Sequence, residues 1–169
     1  PTGTGNVALG NTALDDASLS GSNLTAIGHV ALTANTSGSA NTAVGSNALT
    51  ANTTGADSIA MGVSALGSNT SGSSNTAIGR SALVANTTAS YNTAVSWQSL
   101  YSNTTGAGHV AVGTQALYSN TTSTQNNAFG NDSLYSNTTG SYNVALGTSA
   151  LRSNTTANNN TAVGYQAGY

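Results

Sequence analysis

A phrase that returns at an almost constant interval constrains this chain more than any other feature. Ala-(apolar)-Gly recurs as Ala8-Leu9-Gly10, Ala26-Ile27-Gly28, Ala43-Val44-Gly45, Ala60-Met61-Gly62 and Ala77-Ile78-Gly79. It continues as Ala94-Val95-Ser96, Ala111-Val112-Gly113, Ala128-Phe129-Gly130, Ala145-Leu146-Gly147 and Ala162-Val163-Gly164. The first interval is 18 residues and every later one is 17. A period without drift means that each copy is one structural unit stacked on the last. Each copy holds two short apolar pieces, such as Asn143-Val144-Ala145-Leu146 and Ala150-Leu151, separated by Gly147-Thr148-Ser149. These are too short for helices and rich in β-branched residues, so strands joined by turns are expected. The fold class is all-β: a parallel β-roll or β-solenoid of ten stacked coils with a 17-residue repeat and two short strands per coil. Residues 1–169 form a single repeat domain, with an irregular first repeat (1–27) and regular repeats from 28 to 169. At about 4.8 Å per coil the stack is about 48 Å long.

In-register stacking assigns provisional duties to the columns. The apolar column that runs from Leu9 to Val163 is expected to fill the core, and the unvarying Ala to mark a face where something packs closely. The glycine supplies a tight turn or close approach. Four places later stands a leucine, from Leu14 and Leu32 through Leu151, until Gly168 ends the series. This core is thin, with two large and two small apolar side chains per coil. Burying a Leu or Val contributes about 1.5–3 kcal/mol, whereas ordering each residue costs about 1–2 kcal/mol in the backbone alone. A further buried interface is therefore expected, by lateral self-association, head-to-tail addition or both.

Composition narrows the functional classes. Only 4% of residues are charged and the net charge is −2, with Arg80 and Arg152 the only cations among Lys and Arg, which excludes a nucleic-acid backbone as partner. No run approaches the length of a membrane-spanning helix, so no membrane insertion is expected. The chain starts with Pro1 rather than Met, which points to processing or to a piece of a longer fibre. No serine elbow, phosphate loop or paired carboxylate column is present, and His29 and His109 stand at different phases. No enzyme activity, cofactor or metal is expected.

Two columns invite a functional reading. Asn35, Asn52, Asn69, Asn86, Asn103, Asn120, Asn137 and Asn154 each open an Asn-x-Ser/Thr triplet, so one edge could carry N-linked sugar along its whole length. Asn23, Asn131 and Asn159 are acceptors out of phase. The alternative is structural, because Asn serves turns and stacks in amide ladders. A second column, Asn41, Asn75, Asn92, Asn126, Asn143 and Asn160, cannot be an acceptor and needs a structural explanation. Tyr101, Tyr118 and Tyr135 follow successive leucines and would stack at one edge, either shielding the coil or meeting carbohydrate or a surface protein.

The phrases Asn41-Thr42-Ala43-Val44-Gly45 and Asn143-Val144-Ala145-Leu146-Gly147, each followed by Ala-Leu, resemble the head repeats of YadA-like trimeric autotransporter adhesins and related phage tail-fibre repeats. The repeats here are longer by an Asn-Thr-Thr-Gly-like segment. The resemblance implies a left-handed parallel β-roll, three chains packed side by side, and a place outside the cell, on a cell surface or on a virion. The leading functional expectation is a structural fibre subunit. The alternatives are an adhesin-type module for host or surface glycans or proteins and, as a minor one, an ice-binding array of threonines.

Overall fold

The computed structural model describes residues 3–169. Ten strands form one sheet: β1 (Val7–Leu9), β2 (Thr25–Ile27), β3 (Thr42–Val44), β4 (Ile59–Met61), β5 (Thr76–Ile78), β6 (Thr93–Val95), β7 (Val110–Val112), β8 (Asn127–Phe129), β9 (Val144–Leu146) and β10 (Thr161–Val163). All neighbours are parallel, and their order in the sheet is their order in the chain. Register follows the repeat without slippage: Ala43 pairs with Ala26 on one side and Ala60 on the other. The chain is a β-solenoid.

Each coil has one strand, not two. The Ala-Leu piece runs through a tight turn, because its leucine is left-handed in every coil that has one: Leu49 has φ 49°, Leu83 52° and Leu117 54°. The residue two before that leucine is also left-handed, as at Asn47 (φ 62°) and Gln98 (φ 55°). A residue in this region cannot extend, so the second strand expected from β-rich composition does not form. Inter-coil hydrogen bonding continues through the turn all the same, from the Leu49 N–H to Ala65 O (3.1 Å) and from the Leu83 N–H to Ser99 O (3.0 Å).

The inner and outer duties of the strand are the reverse of those expected. The alanine column faces inward and is fully buried from Ala26 to Ala145, whereas the large apolar column from Leu9 to Val163 faces outward. The coil is too narrow for two large side chains to face each other. One leucine per coil fills the middle, flanked by the strand alanine and by the small residue before the leucine, as in Ala43, Ala48 and Leu49. Two further buried columns are polar, through Asn52 and Asn75 respectively. The core thus has one large apolar side chain per coil rather than two.

The glycine after each strand sits at φ near 135°, and a Cβ on Gly45 would come within 2.6 Å of the Gly62 carbonyl oxygen of the next coil. Ser96 holds this position at φ 112°. Ser96→Gly is expected to raise stability by about 1 kcal/mol, read as a higher denaturant midpoint. Leu83 provides the complementary test. Replacement by Met should stay within the usual cost of less than about 1.5 kcal/mol for a volume-conserving swap. Replacement by Ile should cost at least about 1 kcal/mol more than Met, because a β-branched residue fits a left-handed backbone poorly. Equal midpoints for the two would refute left-handed leucines.

Candidate functional surfaces

The Asn35-to-Asn154 column turns inward, not outward. From Asn35 to Asn137 the side chains are fully buried, and they stack as a ladder in which each Nδ2 donates to Oδ1 of the asparagine one coil earlier, over seven bonds of 2.8–3.2 Å. In most coils the same Nδ2 also donates to the carbonyl three residues on, as from Asn52 to Gly55 (3.0 Å) and from Asn86 to Ala89 (3.0 Å). A sugar on Nδ2 would remove one of these hydrogens and need a path to solvent that the packed coil does not give. The glycan edge proposed for this column is therefore corrected: the eight residues form an interior scaffold, with Asn154 partly open at the last coil. Asn23, Asn131 and Asn159 are the exposed acceptors.

The second column explains itself beside the first. Asn75 Oδ1 accepts the Asn92 N–H (3.0 Å), and Asn126 Oδ1 accepts the Asn143 N–H (2.8 Å). Asn75 Nδ2 donates to Ala89 O (2.8 Å), the carbonyl that Asn86 also uses, so the two columns share one acceptor per coil. No buried side-chain nitrogen or oxygen among the described residues lacks a hydrogen-bond partner. His109 occupies this second column. Its Nδ1 accepts the Asn126 N–H (3.1 Å), which leaves Nε2–H to donate to Ser123 O (2.9 Å). Burial pushes its pKa down from 6.5 to about 4. It is an asparagine substitute in the scaffold rather than a catalytic or metal-binding histidine.

Tyr101, Tyr118 and Tyr135 come together as the repeat register requires. Their ring centroids are 5.0 and 5.1 Å apart, with interplanar angles of 9° and 4°. The Arg152 guanidinium carbon lies 4.9 Å from the Tyr135 centroid, and its Nε is 3.6 Å from the Asp132 carboxylate. The rings are half-buried and spend their flat faces on one another and on Arg152, so what this edge offers a partner is the rim of a stack.

Two further surfaces stand out, the first of them the place where the additional buried interface was expected. One is the outward side of the sheet, where the first and third residues of each strand project. It includes Leu9, Ile27, Ile59, Met61, Ile78, Phe129, Leu146 and Val163, all exposed. Apolar residues on both sides of a short strand were the available signal. The other is the left-handed position two residues before each strand, where Tyr91 (φ 63°) and Tyr142 (φ 59°) stand exposed. Among the described residues no group of three or more His, Asp, Glu or Cys side chains could hold a metal. Among the described residues no helix is long and apolar enough to cross a membrane.

Comparison with protein-family models, curated proteins and solved structures finds no match to this chain. Its function has to be argued from its surfaces alone.

The buried histidine makes a pH prediction. The unfolded chain binds the imidazole proton near pH 6.5 and the folded chain only near 4, so the unfolded state is favoured by protonation between the two. Stability should be full above about pH 6.5, fall by about 3 kcal/mol on acidification to about pH 4, and change little below that from this group. His109→Asn restores the column's usual residue and should flatten that fall in urea midpoints measured across the range. An unchanged slope would place the titration elsewhere.

Proposed function

We propose that this chain is a structural subunit of a surface fibre, extracellular or on a virion, in which copies pack side by side through the outward side of the sheet. The observation that carries the reading is the row of outward-facing large apolar side chains over ten strands, exposed at seven of them, from Leu9 (67% exposed) through Met61 (42%) to Val163 (65%), and half-buried at Val44, Val95 and Val112. A soluble monomer rarely exposes a contiguous apolar strip of this extent, and such strips mark association. The interior adds a second argument. One leucine and two alanines per coil are a small apolar core for 17 ordered residues, and burial of the outer row would supply what the coil itself lacks.

The resemblance to trimeric adhesin heads supports three chains around a common axis, with the outward rows of three sheets meeting there. Threonines at Thr25, Thr42, Thr76, Thr93 and Thr161 share that side with Ile27, Val44, Ile78, Val95 and Val163. Ile59, Val110, Asn127 and Val144 interrupt the threonine column, and Met61 and Phe129 break the flatness beside it, which favours packing against protein over ice.

Sedimentation equilibrium on the whole chain is the test, with three times the chain mass as the expected result. Met61→Asp combined with Ile78→Asp should shift the population towards single chains, each charge in a closed apolar interface costing several-fold or more in association. A wild-type chain that stays monomeric at micromolar concentration would overturn lateral packing.

A further inference from the structure

Tyr91 and Tyr142 are poor choices for the place they occupy if the solenoid alone is considered. Their position is left-handed in every regular coil, and other coils fill it with Asn23, Ala40, Asp57, Ser74, Gly108, Gln125 and Asn159. Any residue with a Cβ in that region costs about 1–2 kcal/mol, a cost the column bears at every residue but glycine, and neither ring adds burial in return, since Tyr91 is 73% exposed and Tyr142 55%. Neither ring stacks on another aromatic, unlike the Tyr101, Tyr118 and Tyr135 series. Exposed, unstacked aromatic rings at a position the fold fills elsewhere with small or polar residues point to a task outside the fold's own stability.

The two tyrosines are three coils apart, about 14 Å along the stack at the usual strand spacing. Between them the column dips to Gly108, and the result is an open groove of about 480 Å³ lined by Tyr91, Ala107, Gly108, Thr124, Gln125 and Tyr142. No lining side chain carries a charge. The Thr124 hydroxyl and the Gln125 amide make no hydrogen bond among the described residues, so both remain available to a ligand. Two aromatic platforms at the ends and free hydroxyl and amide groups on the floor suit a neutral molecule with apolar C–H faces and many hydroxyls.

We propose that this groove binds a short neutral oligosaccharide, with a sugar ring against Tyr91, another against Tyr142, and Thr124 and Gln125 holding hydroxyls between them. The Tyr101, Tyr118 and Tyr135 ladder is not part of this site. The proposal adds a ligand to the fibre reading and does not depend on how many chains share an axis.

Saturation-transfer NMR titration of the whole chain with maltotriose, cellotriose and chitotriose tests it. At least one trisaccharide should receive saturation. Tyr91→Asn and Tyr142→Asn should each weaken it by about threefold to tenfold, the range one aromatic contact supplies. Asparagine is the residue this position already accepts at Asn23 and Asn159, so both variants should fold. Tyr165→Asn, an exposed tyrosine in another column, should leave binding unchanged. No transfer to any of the three sugars overturns the proposal, as does binding that both variants leave intact. Sedimentation of the same variants separates the remaining case: a fall in assembly mass would make the groove a contact between chains and overturn sugar binding there, whereas an unchanged mass with lost binding supports it.

Discussion

Each coil closes around a buried asparagine whose amide has two obligations, one to the asparagine of the coil before and one, in most coils, to a carbonyl three residues ahead. The first bond holds coil to coil and the second holds the turn, so the same side chain sets both the rise of the stack and the curvature of the chain. A lone buried amide would be costly; a column of them satisfies every member except at the ends. The second column extends the economy, since its amides share carbonyl acceptors with the first. With nearly all charge absent from the chain, this neutral network takes the place that apolar volume fills in a larger core.

The network also makes the coil narrow, and narrowness decides the rest. Opposite a column of leucines there is room only for alanine on the strand, which is why Ala43 and its equivalents never vary in identity and stay fully buried from Ala26 to Ala145, while the neighbouring apolar residue ranges from Val44 to Phe129. That variation is what an outward position tolerates. The large residues are then displayed along one side of the solenoid, where the packing proposed between copies would bury them. Left-handed leucines belong to the same constraint: a chain that must reverse within a few residues uses φ > 0 wherever the turn falls, and leucine, not branched at Cβ, bears it at less cost than Val or Ile, although Val30 also adopts it.

Aromatic residues divide by whether the column lets them meet. In successive coils they stack, and Tyr101, Tyr118 and Tyr135 satisfy one another. Three coils apart they cannot, and Tyr91 and Tyr142 stay open on either side of Gly108. Fibre and groove are thus readings of one rule, that a repeat displays each position as a row and that departures from the row create local surfaces.

The sequence by itself determined the period, the parallel in-register stacking and the alignment of Tyr101 with Tyr118 and Tyr135, because strict spacing leaves a stacked coil no other register. The leucine column was legible as core for the same reason. Which side of the strand faces inward was decided only by the tertiary structure: Ala43 and Val44 are both apolar, and the choice depends on the width left by Leu49 and Asn52 across the coil. The fate of the Asn-x-Ser/Thr column was likewise beyond local pattern, since a triplet read as an acceptor says nothing of whether its amide is already engaged. His109 looked out of phase with His29 and isolated, and only folding placed it among the asparagines whose hydrogen bonds an imidazole can reproduce. Periodicity specifies what lies above what; closure of the coil specifies what lies inside.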